Sequence, residues 1–324
     1  MAPLPLNPVL VTHSGRFHCD EVFAYAILRL ALGLGEPGRD HRLIRTRDPV
    51  VIQSADIAWD VGTVFDPAAG RFDHHQRGAP LRPDGTPYSA AGLIWQVYGE
   101  PAVAALLAAS AVSRARPTVF APAITAELDE SVLRRIDELD NGVSSQGPVL
   151  DDLLGLGRLI ADFNPVWDSA EAASPHSGDA AFLEAAAMAE GVLCRRVEAV
   201  RARLQADAMV LAAHAAGADP RILVLDRGMP WKVAAFSHDL PVIFTVSPAA
   251  NGNWMVDAMP PDPGSFGQRL PLPESWAGLE GQELAAASGV ADAVFVHVRR
   301  FVGAARSRAG AIAMAELALK PPVA

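Results

Sequence analysis

His13 and His18 flank a short loop, Ser14-Gly15-Arg16-Phe17, and Asp20 follows two residues later. His74 and His75 are adjacent and preceded by Asp73. With His41, five of the chain's nine histidines fall within its first 75 residues. Imidazole nitrogen and carboxylate oxygen are the ligands that borderline cations such as manganese, iron and zinc accept. Two further acids sit beside glycines that permit close backbone approach: Asp60, in Trp59-Asp60-Val61-Gly62, and Asp140, in Leu139-Asp140-Asn141-Gly142. Singly, each has an ordinary explanation. A lone histidine is more often a surface or core residue than a ligand, and Asp-Asn-Gly is usually a turn. His41, His176, His214 and His238 keep that ordinary reading. The four patterns together, in this order, point to a metal site.

Such residues need elements that bring them to one place. An apolar run at 9–12 reads as a strand that ends in the Gly15 loop, and 21–32 has helical spacing. Residues 55–64 carry a second strand broken around Asp60, and Pro67-Ala68-Ala69-Gly70 is a turn before Arg71-Phe72-Asp73. Residues 89–98, 102–113 and 126–139 are helical in pattern, with Gly142 as a stop signal. This alternation predicts an α/β fold with a mostly parallel sheet flanked by helices. Open sheets of that kind bind ligands beyond the carboxyl ends of their strands, where these loops fall. Residues 168–178 read as a surface loop and 179–214 as one long helix with a single apolar stripe, Phe182 through Leu211. Four strand-like runs follow, at 221–225, 242–246, 254–258 and 293–298, with a proline-rich loop at 260–276. The predicted layout is a metal-binding catalytic domain at 1–168, a loop and connecting helix at 169–216, and a smaller C-terminal α/β (α+β) domain at 217–324.

The chain has 324 residues, half of them hydrophobic and a fifth charged, which suits a globular protein of two domains. No uninterrupted apolar run reaches the roughly 18 residues of a membrane span. The start is proline-rich and uncharged, unlike a secretory signal. Cys19 and Cys194 are far apart and form no Cys-x-x-Cys pair, so neither a disulfide framework nor a structural zinc site is expected, and a reducing cytoplasm is the simplest setting. The net charge of −10 does not suit a grip on long nucleic acid through a broad basic surface. Short oligonucleotides or small phosphoesters fit better, and a homodimer is compatible with the sequence.

Four stretches resemble the motifs of the DHH phosphoesterase superfamily: Thr-His-Ser-Gly-Arg-Phe-His-Cys-Asp-Glu (12–21), Asp-Val-Gly (60–62), Phe-Asp-His-His-Gln (72–76) and Asp-Asn-Gly (140–142). Within it they are most similar to the melanocyte proliferating gene family, also labelled metal-dependent protein hydrolases. Residues 270–279, 288–290, 295–297 and 301–303 resemble that family too, so the likeness spans nearly the whole chain. His18 stands where many superfamily members carry an aspartate, and a Gly-Gly-Gly-His signature is absent.

The resemblance implies an N-terminal DHH-type domain with two divalent ions, manganese foremost and magnesium, iron, cobalt or zinc as alternatives. It also implies a smaller C-terminal substrate-binding domain. The implied activity is metal-dependent phosphodiester hydrolysis by a 3′–5′ exoribonuclease or short-oligonucleotide hydrolase. A pyrophosphatase or cyclic-dinucleotide phosphodiesterase is the first alternative, and a non-catalytic metal- or nucleotide-binding module the second. On this reading His13, His18 and Asp60 hold one ion, while Asp20, Asp60, His74 and Asp140 hold the other. Asp60 bridges them, since two ions about 3.5–4 Å apart can share and acidify a water. Asp73 orients a histidine from outside the ligand set. With Asp60, His75 and Arg77 form the catalytic set by contacting phosphoryl oxygens. Lys232, Arg269 and His297 are substrate-phosphate candidates, and Trp231 or Trp276 either stacks on a base or packs in a core.

Overall fold

In the computed structural model, which describes residues 4–110, 119–143, 154–170, 172 and 178–320, the first predicted strand is β1 (Val9–Thr12). It leads through the His13–His18 loop into α1 (Cys19–Leu32), whose first ten residues are all buried. Gly33, at φ 64°, ends that helix in the left-handed conformation that glycine tolerates best. Next come β2 (Arg42–Arg45), α2 (Pro49–Ser54), β3 (Ile57–Trp59), β4 (Phe65–Asp66) and β5 (Arg71–Phe72). The five strands form a sheet in the order β2-β1-β3-β5-β4, in which β4 alone runs antiparallel to its neighbour. Sequence reading misses β2, because Arg-Leu-Ile-Arg has no apolar alternation of its own.

Register decides what this sheet displays. Thr12 pairs with Arg45, Val11 with Ala58, and Trp59 with Phe72. Thr12, Arg45, Trp59 and Phe72 therefore end at one edge. His13, Asp60 and Asp73, each one residue further on, emerge there together.

Helices then cover the scaffold. α3 (Ala90–Ala109) is one helix rather than the predicted two, with Pro101 inside it. Buried Leu93, Ile94, Trp95, Ala102, Val103 and Leu107 outweigh the local cost of an internal proline, about 3 kcal/mol. By length and composition α3 is apolar enough to cross a membrane, but its apolar surface is used to pack against α1. The predicted helix at 126–139 begins earlier, as α4 (Ala121–Leu128), passes through a π turn at Asp129–Leu133 and continues as α5 (Arg134–Asp140). Gly142, at φ 64°, lies just past its end, where its N–H donates to the Leu139 carbonyl.

A buried ion network ties these parts together. Arg82 donates to both oxygens of Asp129 at 2.9 and 3.0 Å and through Nε to Asp137 at 2.7 Å. Asp137 also accepts from the N–H and hydroxyl of Ser89, the residue that caps α3.

α6 (Leu156–Ala161) follows, then the long helix α7 (Asp179–Ala216). His176 and most of the predicted 168–178 loop lie outside the described residues. The chain divides into two compact units, Met1–Arg201 and Ala202–Ala324, with the boundary inside α7. The second unit contains β6 (Ile222–Val224), α8 (Trp231–Ser237), β7 (Phe244–Pro248), β8 (Trp254–Ala258), α9 (Gly281–Ser288), β9 (Ala293–Val296), β10 (Val302–Ala305) and α10 (Arg308–Ala318). Its sheet runs β6-β7-β8-β10-β9, with only β6 and β7 parallel, so this unit is α+β in character. Trp231 and Trp276 are both buried core residues here.

Removing the carboxylate of Asp137 would leave Arg82 buried and incompletely paired. Asp137→Ala is expected to lower unfolding free energy by about 3–5 kcal/mol, read as a shifted urea midpoint with an unchanged slope.

Candidate metal centre

Each parallel strand delivers its chemistry at the carboxyl edge. His13 follows β1, Asp60 follows β3, and Asp73, His74 and His75 follow β5. Asp20 comes from the first turn of α1 and Asp140 from the last residue of α5. The described residues contain four overlapping groups whose ligand atoms lie within 4.8 Å of one another. They are His13, His18 and Glu21; His18, Asp20 and Asp140; Asp20, Glu21 and Asp60; and Asp60, Asp73, His74 and His75. All six sequence-predicted ligands belong to them. Cys19 does not; burial beside Asp20 and Glu21 holds its thiol well above the ordinary range.

Asp60 is at the centre. One oxygen lies 3.2 Å from Nε2 of His13 and the other 3.2 Å from Nε2 of His74. His74 also reaches Asp140 at 3.4 Å. Asp60 has φ 55°, a conformation in which aspartate and asparagine are the commonest residues after glycine. Glu21, unassigned by the sequence reading, joins the cluster with Oε1 2.8 Å from Nε2 of His13. Its other oxygen accepts from the His18 N–H at 2.8 Å, which closes the first turn of α1. The spacing of residues 18 and 21 matches a helix-capping pair, but a histidine at the capping position hides the signal.

The electrostatics show what the cluster lacks. Burial pushes Asp20 well above the carboxylate range, and the charges of Asp60 and Asp140 push it further. Its Oδ1 is buried without a hydrogen-bond donor. Asp140 is raised by burial, with His74 opposing and Asp60 adding to the shift. Burial also pushes Asp60 up, but His13 and His74 reverse that and lower it to about 2. Burial pulls His13 down, yet Asp60 and Glu21 more than compensate and raise it to about 10. His74 is likewise raised, by Asp60 and Asp140 against burial. A set of buried oxygen and nitrogen donors with surplus negative charge fits divalent cations.

The remaining predicted residues have distinct settings. Asp73 is buried and accepts from the N–H groups of His74 and His75, and its Oδ1 lies 2.7 Å from Nδ1 of the exposed His75. Arg77 is exposed in the following turn. In the second unit, Lys232 is exposed beside the Trp231 ring. Arg269 donates to the Leu240 and Val242 carbonyls at 2.9 and 3.0 Å, so part of its guanidinium is committed to backbone. His297 packs against Phe301 and accepts from the Arg299 N–H.

The His13–His18 loop is held from outside. The side-chain amide of Asn164 accepts from Phe17 N–H and donates to Phe17 carbonyl, both at 2.9 Å. Arg45 donates to the Gly15 carbonyl and lies over the Phe17 and Phe182 rings.

Comparison with known proteins covers almost the entire chain. The model of an uncharacterised protein family (UPF0160), labelled MYG1_exonuc, matches residues 9–319. The human MYG1 exonuclease is 34% identical over 342 aligned positions, covering 98% of this chain and 86% of the human one. The bovine MYG1 exonuclease is 33% identical, over 98% and 85% of the two chains. A MYG1 protein of Caenorhabditis elegans is 33% identical, over 97% and 96%. No solved structure matches significantly.

Asn164→Ala would strip both partners from the buried Phe17 backbone. A stability loss of about 1–3 kcal/mol is expected, with faster amide hydrogen exchange concentrated in residues 13–18.

Proposed function

The chain belongs to the MYG1 exonuclease family, and from that premise we propose that it is a metal-dependent phosphodiester hydrolase that shortens RNA strands in the 3′ to 5′ direction. The observation that carries this reading is the place of Asp60, whose two carboxylate oxygens face different histidines. Ligand groups thus gather on both sides of one carboxylate. This suits two divalent cations bridged by Asp60, and we assign manganese. His13, His18 and Glu21 would hold one; Asp20, His74 and Asp140 would hold the other. Such a pair supplies Lewis-acid charge at a phosphoryl group and lowers the pKa of water.

The chain's own residues do the rest. Asp73 fixes the ring of His75 through Nδ1 and leaves the exposed side of that ring for a phosphoryl oxygen. Arg77, exposed in the next turn, is a second contact. In the C-terminal unit, Lys232, Arg269 and His297 keep their place as substrate-phosphate candidates. The net charge of −10 favours short strands over long structured RNA, and the expected setting is the cytoplasm.

Two experiments test this reading. Protein stripped with EDTA and given manganese should convert a 5′-labelled RNA oligomer into a ladder shortened from its 3′ end. Hydrolysis of pyrophosphate or a cyclic dinucleotide with the RNA left intact would refute the assignment. Asp60→Asn keeps a residue that tolerates φ 55°, so circular dichroism should not change. Bound manganese should disappear, and turnover should fall by well over the roughly 100-fold that loss of an outer-sphere partner costs. Wild-type turnover with full metal in that variant would remove Asp60 as the bridge.

A further inference from the structure

The carboxyl edge carries two arginines that neither the ligand set nor the catalytic set above uses. β2 ends at Arg45 in register with Thr12, so the residues after it emerge beside the His13–His18 loop. The two arginines are Arg45 and Arg47, and their settings differ. Arg45 is largely withdrawn from solvent, lies 5.4 and 5.1 Å from the Phe17 and Phe182 ring centres, and donates to Gly15 and Asp179. It braces the loop. Arg47 is exposed, and its Nη2 lies 3.2 Å from Nδ1 of His13. Among the described residues it makes no ion pair.

Its backbone is fixed on both sides. The Thr46 N–H donates to the Thr12 carbonyl at 2.8 Å, and Asp48 caps α2 by accepting from the Val50 N–H at 2.8 Å. The guanidinium therefore extends from a rigid position next to the cluster.

Its contact with His13 uses one of five guanidinium donors. Among the described residues the guanidinium makes no other hydrogen bond, so the rest of the fork is free at the edge of the cluster of histidines and carboxylates.

We propose that Arg47 is a further anion-binding residue of this site, gripping two non-bridging oxygens of the phosphoryl group and stabilising the charge they gain in the transition state. This rests on the phosphoesterase reading above. A pocket of carboxylates repels a phosphate, and a planar guanidinium offers the bidentate geometry that a phosphoryl group accepts.

The test uses the full chain loaded with manganese and three measurements on wild type, Arg47→Met and Arg47→Lys. Arg47→Met keeps much of the stem and removes the charge; Arg47→Lys keeps the charge and loses the fork. Bound manganese should be unchanged in both variants. Inorganic phosphate, followed by calorimetry, should bind Arg47→Met at least about 10-fold more weakly, with Arg47→Lys between the two. On an RNA oligomer, kcat/KM of Arg47→Met should fall by about 100-fold or more, mostly in kcat. Wild-type phosphate affinity in Arg47→Met overturns the proposal, as does a wild type that binds no phosphate. Loss of manganese in Arg47→Met, with activity restored by excess metal, also overturns it and makes Arg47 a prop for His13. If the wild type binds phosphate through Arg47 but cleaves no phosphoester, the hydrolase reading fails and the anion site stands. If RNA is cleaved and Arg47→Met cleaves it equally well, the reverse holds.

Discussion

A buried concentration of negative charge governs the first unit. Asp20, Glu21 and Asp60 lie out of water within a few ångströms of one another. Removing one carboxylate from water costs several kcal/mol, and placing three side by side adds mutual repulsion. His13 and His74 offset part of this, and the carboxylates in turn raise the pKa of both imidazoles. They do not serve Asp20, whose Oδ1 has no donor. A globular core would not retain such a cluster for stability, since apolar residues of similar volume would do better. The cluster makes sense as a cation site, and the surrounding structure as the means of holding it.

That holding structure is largely polar and local. Strand register brings His13, Asp60 and Asp73 to one edge without specific side-chain contacts. Orientation within the edge then depends on Asn164 at Phe17, Arg45 at Gly15, and Asp73 beneath the His74–His75 pair. Asp140 sits further away in sequence and is placed by a different device. The π turn at Asp129–Leu133 and the Arg82 network fix α5 relative to the start of α3. Asn141 then donates to the Asp137 and Pro87 carbonyls and holds the end of the helix. Ligands from four segments therefore converge because each is fixed by its own short-range bonds.

The sequence makes some of this legible and hides the rest for physical reasons. His13, Asp60 and His74 stand out because metal-binding residue types follow apolar runs at strand ends. The mostly parallel sheet and the long helix, read as 179–214, follow from periodicity. β2 and β10 do not, because Arg-Leu-Ile-Arg and Val-Gly-Ala-Ala carry little strand signal and take their conformation from their neighbours. Missing β2 also hides Arg45 and Arg47, whose importance comes only from the strand they end. Glu21 has no role assigned in the sequence, where it opens the helical run at 21–32, and its burial beside His13 is what marks it. Arg269 looks like a free cation in the sequence, yet its donors meet two backbone carbonyls that only the fold brings near.

Net charge illustrates how composition and site chemistry diverge. A total of −10 sums over the whole surface, whereas recognition of a phosphoester depends on the field within a Debye length, about 8 Å at physiological salt. Five carboxylates, from Asp20, Glu21, Asp60, Asp73 and Asp140, lie in the ligand groups themselves. Two divalent cations would cancel four of those charges, and the exposed guanidinium of Arg47 adjoins the same loop. An acidic protein can therefore present a locally favourable site for a phosphate, so long as the cations are in place. On the proposed reading the same residues without cations would repel the ligand, and cation binding would be a condition for substrate binding as well as for chemistry.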